Sequence, residues 1–201
     1  RAAFGGLDAL PREPRIDPDR IGVMGFSKGA IAALYAAYQP VVARASPSGA
    51  RFALHIAYSP CCGLRLYESL TTGAPVLIQT GALDDLVPPE RCSELIATSR
   101  GPAGPANIQL KILPEAHHAF DHPLLSLFEK LPITAPSPAY CHLQQQADGS
   151  FVETTSNRKV DGSNLNEVLA ACSRKGHAGG NEQADAAALG NTLAFLKAAA
   201  F

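Results

Sequence analysis

The sequence predicts an α/β protein in which a mostly parallel sheet is covered by helices on both faces. Two observations lead to this prediction: short apolar runs recur along the chain, and segments of helical character lie between them. This alternation is typical of parallel sheets, because each parallel strand needs a crossover connection to reach the next. The chain has 201 residues, which suits one sizeable core. We therefore predict a single domain over residues 1–201.

Four segments are the candidate strands. Residues 20–24 and 75–80 are short apolar runs bounded by turn residues, and residues 52–58 alternate large apolar side chains with other types. Residues 107–113 alternate apolar and polar side chains, which is typical of a strand nearer the edge of a sheet.

Three Ala-rich or well-bounded segments are the candidate helices. Residues 28–39 are rich in Ala and Leu, and Pro40 is predicted to end this helix. Residues 89–100 have a proline near the start and a glycine just past the end, the usual asymmetry of helix termini. Residues 181–201 form the last predicted helix, and its expected inner face consists of Leu189, Leu193, Leu196 and Phe201. Residues 1–10 resemble the end of a further helix.

The segment 123–166 does not fit the alternating pattern. It contains four prolines, a Gln-rich piece and a Ser/Thr-rich piece, with little periodicity. A long irregular segment inside a compact domain usually has a function of its own or is poorly ordered. We expect a surface excursion or a flap that covers part of the domain.

Charge and hydropathy argue for a small-molecule partner. Seventeen basic residues oppose eighteen acidic ones, the formal net charge is −1, and no basic cluster is present. A nucleic-acid partner would require a positive surface, and no apolar run approaches the length of a membrane-spanning helix. We predict neither a nucleic-acid partner nor a membrane span, and the sequence leaves the oligomeric state open.

The five cysteines allow two interpretations: they are Cys61, Cys62, Cys92, Cys141 and Cys172. A disulfide between the last two would tie down the loop-rich segment between them, and Cys92 could pair with either Cys61 or Cys62, which would leave one thiol free. Alternatively, all five are reduced and mostly buried as small apolar side chains. The first interpretation indicates a periplasmic or secreted protein and the second a cytoplasmic one.

A candidate nucleophile lies between the first predicted strand and the helix that follows it. Gly25-Phe-Ser27-Lys-Gly29 matches the G-x-S-x-G pattern, which is meaningful where a strand turns sharply into a helix. Such a turn holds the serine in a strained conformation with its side chain exposed, and glycines on both sides are expected to prevent collisions. The backbone N–H of Lys28, at the start of the helix, is expected to donate to a developing oxyanion.

The candidate acid and base follow two later strands, so that serine, acid and histidine occur in this order along the chain. A serine hydroxyl needs a base to accept its proton, and an imidazole base needs a carboxylate to orient it. Asp84 and Asp85 follow residues 75–80, while His117 and His118 follow residues 107–113. We predict Asp84 as the acid and His118 as the base, with the adjacent residue as the second choice in each case. The alternative for Asp84 is a turn or helix-capping carboxylate.

The histidine segment also suggests a metal site as an alternative. It is dense in possible ligands: Glu115, His117, His118, Asp121 and His122. However, it directly follows a strand and has no clear helical period, so the i, i+4 spacing of two histidines has little meaning. We predict no metal site. The isolated histidines His55, His142 and His177 are expected to be structural or at the surface.

Taken together, the three motifs resemble the dienelactone hydrolase family of α/β-hydrolases. The resemblance is carried by Asp17-Pro-Asp-Arg-Ile-Gly-Val-Met-Gly-Phe-Ser27-Lys-Gly29, by Gly81-Ala-Leu-Asp84-Asp-Leu-Val-Pro88 and by Ala116-His-His118-Ala-Phe-Asp121. It implies that Ser27, Asp84 and His118 hydrolyse a carboxylic ester or lactone through an acyl-enzyme, without a cofactor. The namesake enzymes use cysteine as nucleophile, so dienelactone itself is not the expected substrate. Phe26 and Phe120 are the candidate substrate contacts beside these motifs.

The resemblance also implies that part of the family fold lies upstream of this sequence. The family has several strands before the nucleophile, whereas about two dozen residues precede Ser27 here. The loop that supplies the second oxyanion donor normally lies in that part, and losing one donor typically lowers turnover about 10²–10³-fold. An inactive or non-catalytic module of the same fold is therefore the alternative hypothesis.

Overall fold

A computed structural model describes residues 2–128 and 130–201. Its α-helices, in chain order, are α1 (Ala2–Ala9), α2 (Lys28–Tyr35), α3 (Gln39–Ala45), α4 (Pro89–Thr98), α5 (Leu165–Cys172) and α6 (Glu182–Ala198). Its strands are β1 (Gly22–Phe26), β2 (Leu54–Tyr58), β3 (Leu64–Arg65), β4 (Val76–Gly81), β5 (Arg100–Gly101), β6 (Gly104–Pro105), β7 (Ile108–Leu113), β8 (Leu131–Ser137), β9 (Leu143–Gln145), β10 (Phe151–Glu153), β11 (Arg158–Val160) and β12 (Arg174–Ala178). Single 3₁₀ turns cover Leu10–Arg12, Pro18–Arg20, Pro123–Leu125 and Pro138–Tyr140.

The main sheet is parallel, as predicted. Its strand order is β1-β2-β4-β7, and each neighbouring pair is parallel. All four carboxyl ends therefore lie along one edge of the sheet, and the segments that follow β1, β4 and β7 carry the candidate site residues. The strand β7, predicted to lie nearer an edge, is the last strand of this sheet.

Helices cover both faces of the main sheet, which confirms the predicted fold class. Successive side chains of a strand point to opposite faces, so β4 contributes to two cores. Val76 and Ile78 pack in the core that includes α2 and α4, whereas Leu77 packs in the core that includes α6. Burying such a side chain fully contributes about 1.5–3 kcal/mol relative to leaving it exposed. A third cluster joins α1 and α3 to the starts of the first strands.

The inner face of α6 differs from the prediction, since of the four residues expected there only Leu196 packs against the core. Leu189 and Leu193 are more than half exposed, and the buried side chains are Ala184, Ala188, Thr192 and Phe195. The small side chains let the helix backbone approach the sheet closely. The Thr192 hydroxyl lies 2.8 Å from the Tyr58 hydroxyl, and the Gln79 amide donates to the Ala188 carbonyl at 3.0 Å. The buried face of α6 therefore combines small apolar side chains with a hydrogen-bonded threonine, whereas the prediction rested on the leucines alone.

Pro40 begins a helix instead of ending one. The predicted helix over residues 28–39 ends at Tyr35, and α3 starts at Gln39 with Pro40 in its first turn. A proline is tolerated there because the N–H groups of a first turn have no acceptor within the helix.

The segment 123–166 contains strands, so the expectation of an irregular excursion is corrected. Three of its strands join β3 in a second sheet of order β11-β10-β9-β3, and β8 pairs with β12 as an antiparallel ribbon. Three of the four strands in this segment, β9, β10 and β11, are three residues long, which is too short to show a period in the sequence.

The structure pairs Cys62 with Cys92 and Cys141 with Cys172, and Cys61 is free.

Within the described residues, no helix is both long enough and apolar enough to cross a membrane.

Candidate active site

The serine of the G-x-S-x-G motif occupies the turn between β1 and α2. Its backbone has φ +50° and ψ −114°, a strained conformation for a residue other than glycine, and its N–H donates to the Tyr58 carbonyl at 2.9 Å. The side chain of Ser27 is exposed at the carboxyl edge of the sheet. Because α2 begins at Lys28, the backbone N–H of that residue has no acceptor within the helix. It is therefore available beside the Ser27 hydroxyl.

The two glycines of the motif have different roles, which the sequence did not predict. A Cβ on Gly25 would collide with the backbone of Gly29, whereas a Cβ on Gly29 would have no atom within 4 Å. Only the first glycine is required by the close approach of strand and helix. The expectation that both remove collisions is therefore corrected.

Asp84 is held from two sides in the turn after β4. Its Oδ1 accepts the backbone N–H groups of Leu86 at 3.1 Å and Val87 at 2.9 Å. Its Oδ2 lies 2.9 Å from His118 Nδ1, and the carboxylate is buried. Hydrogen bonds from its own turn thus orient the carboxylate, and one oxygen remains for the imidazole.

His118 joins the carboxylate to the serine. Its Nε2 lies 3.0 Å from Ser27 Oγ, so the structure brings Ser27, His118 and Asp84 into one hydrogen-bonded chain. With Nδ1–H donating to Asp84, the neutral ring has Nε2 free to accept the serine proton. The next residue, Ala119, has φ +58°, and the His118 carbonyl accepts the Gly179 N–H at 3.0 Å.

Asp85 and His117, the second choices for acid and base, make other hydrogen bonds. Asp85 accepts two hydrogen bonds from His177, one from the backbone N–H and one at Nδ1, each 2.6 Å long. Burial raises the pKa of Asp85, but these hydrogen bonds outweigh it and hold the pKa below its usual range. His117 Nδ1 lies 2.9 Å from the Leu83 carbonyl. His177, expected to be isolated, is therefore a partner of the second aspartate.

The alternative of a metal site finds no support in the arrangement of the histidine segment. His117 and His118 contact different partners, and His122 accepts the backbone N–H of Leu124 at 3.3 Å. Across residues 2–128 and 130–201, no three His, Cys, Asp or Glu side chains converge as a metal site requires.

Comparison with known proteins identifies the family. The family model of the dienelactone hydrolases matches residues 4–128, more than half of the chain and all three site residues. The chain belongs to the dienelactone hydrolase family. In this member, the central residue of the G-x-S-x-G motif is Ser27.

Other similarities of this dienelactone hydrolase family member are distant. One solved structure that it resembles is the acetyl ester-xyloside bifunctional hydrolase from Caldicellulosiruptor lactoaceticus. The two are 18% identical with a TM-score of 0.40, and the match covers 59% of this chain and 54% of the other. The chain thus spans about half the length of that hydrolase. No curated protein matches the sequence.

A cavity of about 490 Å³ opens beside the hydrogen-bonded chain of this family member. Ser27, Lys28 and His118 line it together with residues of the β8 segment. The free Cys61 also lines it, and burial raises the pKa of that thiol. Ser27, Lys28 and His118 were predicted site residues, whereas Cys61 and the β8 residues were not, because nothing in the sequence places them near Ser27.

Neither of the two aromatic residues that were predicted to contact substrate lines the cavity. Phe120 is buried in the core, with its ring centroid 6.1 Å from that of Tyr58, and it does not line the cavity. A fully packed core side chain is inaccessible to a substrate, so that expectation is corrected. Phe26 is half exposed and packs on Tyr58 at 4.9 Å, also outside the cavity lining.

Proposed function

We propose that this chain is a serine hydrolase that cleaves a carboxylic ester or lactone through an acyl-enzyme on Ser27. The observation that carries the proposal is the hydrogen-bonded chain from Ser27 Oγ through the His118 ring to Asp84. Membership of the dienelactone hydrolase family supports the same reaction class.

In the first half of the proposed reaction, Ser27 Oγ attacks the ester carbonyl carbon and its proton passes to His118 Nε2. Asp84 stabilises the imidazolium that forms, and the Lys28 backbone N–H donates to the oxyanion of the tetrahedral intermediate. When this intermediate collapses, the carbon–oxygen bond to the alcohol breaks. The leaving alkoxide takes the proton from His118, and the acyl group stays on Ser27.

In the second half, water replaces the alcohol. The water oxygen attacks the acyl carbon while His118 accepts a proton from the water. In the collapse of the new intermediate, the bond between the acyl carbon and Ser27 Oγ breaks. The proton returns to the serine and the carboxylic acid leaves. Every step uses groups of this chain, a small-molecule ester and water.

A fluorophosphonate probe, which labels activated serines, tests the proposal. We expect labelling of Ser27, and we expect Ser27→Ala to abolish both labelling and p-nitrophenyl acetate hydrolysis, measured by mass spectrometry and absorbance. Ser59→Ala is a matched control, since Ser59 follows β2 at the same sheet edge with φ +48° but is buried without a side-chain partner.

Two outcomes would contradict the proposal. Undiminished hydrolysis by Ser27→Ala would remove the serine from the reaction. A folded wild-type protein that neither reacts with the probe nor hydrolyses the ester would favour a non-catalytic module of the same fold.

A further inference from the structure

The cavity beside Ser27 has two apolar walls. One wall comes from the elements that pack on the main sheet and contains Ile31 of α2 together with Leu86 and Val87 from the turn after Asp84. The other wall comes from β8 and contains Ile133, Ala135 and Pro136. A substrate whose carbonyl carbon lies at Ser27 therefore places one of its substituents against these walls.

Charge is scarce in this cavity. Among the described lining residues, Lys28 is the only Lys, Arg, Asp or Glu, and its side chain is exposed beside the nucleophile. Because the Lys28 side chain is exposed, its attraction for a carboxylate is screened by water, so a carboxylate placed against the apolar walls would lose more hydration than this pairing returns. An apolar group in the same place would gain from leaving water.

We propose that the cavity selects esters with an uncharged, apolar substituent larger than methyl. The volume of about 490 Å³ falls within the usual range of small-molecule sites, which is about 300–1,000 Å³. Each further methylene buried against the walls increases kcat/KM on the order of fourfold. This inference rests on the proposed function and names the substrate class of the same site.

The β8 wall is held in place relative to the candidate base and acid. β8 pairs with β12, and the residue after β12, Gly179, donates its N–H to the His118 carbonyl. On the acid side, the β12 residue His177 is hydrogen-bonded to Asp85. The wall is therefore preorganised, and a substituent that fits it does not have to order a loose segment.

Two neighbouring residues of β8, Ile133 and Thr134, provide a matched pair for testing the wall. Ile133 lines the cavity, whereas its neighbour Thr134 is exposed and does not. A charge introduced at residue 133 faces the substituent, and the same charge at residue 134 faces solvent.

The first experiment compares two series of esters, with each rate divided by the uncatalysed rate. One series is p-nitrophenyl acetate, butyrate and hexanoate, and the other is ethyl, butyl and hexyl acetate. We expect kcat/KM to rise at least tenfold from the shortest to the longest member of one series. A rise among the p-nitrophenyl esters would mean that the acyl group enters the cavity, and a rise among the acetates would mean that the alcohol group does. The anionic p-nitrophenyl hydrogen succinate is expected to react more slowly than the butyrate. Flat or falling rates in both series, or a preference for the succinate, would overturn the inference.

The second experiment uses the matched pair in β8. Ile133→Asp is expected to remove most of the gain with chain length, measured as the ratio of kcat/KM for the longest ester to kcat/KM for the shortest ester within the same variant. Thr134→Asp is expected to keep the wild-type dependence on chain length. Equal profiles for the two variants would show that β8 does not form the binding wall.

A binding measurement separates this inference from the proposed function. Ser27→Ala protein, which retains the cavity, is titrated calorimetrically with ethyl hexanoate and ethyl acetate. We expect at least tenfold tighter binding of the hexanoate, whether or not the wild-type protein is an active esterase. Equal affinity would overturn the apolar cavity, even if Ser27 proves to be the nucleophile.

Discussion

Two carboxylate–imidazole pairs lie next to each other in this protein, and they differ in surroundings more than in chemistry. The Asp84–His118 contact is 2.9 Å long, with side-chain exposures of 0% and 11%. The Asp85–His177 contact is shorter, at 2.6 Å, although its side chains are 41% and 33% exposed. The shorter contact therefore belongs to the pair that water screens more strongly.

The two pairs differ in the other groups that they contact. Asp84 is also bound by the backbone of its own turn, and the far nitrogen of His118 faces the Ser27 hydroxyl. Asp85 gives both carboxylate oxygens to His177, a residue of β12. The first pair can transmit the orientation of a carboxylate to the hydroxyl of Ser27, the proposed nucleophile. The second joins a distant strand to the turn that carries the acid, so distance alone does not identify a catalytic pair.

Replacing each aspartate by asparagine should separate the pairs most strongly. In Asp84→Asn, the amide NH₂ would face His118 Nδ1 and favour the ring tautomer that has its proton on Nε2. Because Nε2 then already carries a proton, it cannot accept the proton of Ser27. We expect kcat to fall about 10³–10⁴-fold. Asp85→Asn is expected to lower kcat by less than about tenfold. Steady-state kinetics on p-nitrophenyl esters measure both, and similar losses would mean that the two pairs act as one unit.

The second pair should matter for stability and for the attachment of β12. His177→Ala removes the side-chain hydrogen bond and leaves the backbone one, so we expect the free energy of unfolding to fall by about 1 kcal/mol. Asp85→Ala removes both acceptors and should cost about 2 kcal/mol. Urea unfolding measures the two values. Wild-type stability in both variants would show that the contact does not hold the ribbon.

The smallest expected effect concerns pH. The pKa of Asp85 is lowered in the folded protein, so its contribution is present above the unfolded pKa of about 3.9 and is lost as pH falls through the folded value. The stability difference between wild type and Asp85→Asn should therefore shrink from pH 6 to below pH 4. Because the pair is partly exposed, we expect less than about 1 kcal/mol. A difference that grows on acidification would contradict this assignment.

Much of this protein was predictable from local sequence patterns. The four strands of the main sheet, their parallel arrangement and the positions of Ser27, Asp84 and His118 at strand ends follow from apolar runs, glycines and motif order. These features depend on residues close together in the chain. Apolar periodicity and turn chemistry act over a few residues, and parallel strands bring their carboxyl ends to one edge whatever lies between them.

Tertiary structure alone decided the contacts between distant segments. The partner of Cys92, the buried face of α6, the pairing of Asp85 with His177 and the β8 wall beside Ser27 each join elements far apart in sequence. Adjacent residues such as Asp84 and Asp85 have the same chemistry and the same local pattern. Only the packing of remote backbone around them determines which carboxylate is buried against an imidazole that faces the serine, because burial and hydrogen-bond geometry are properties of the assembled chain.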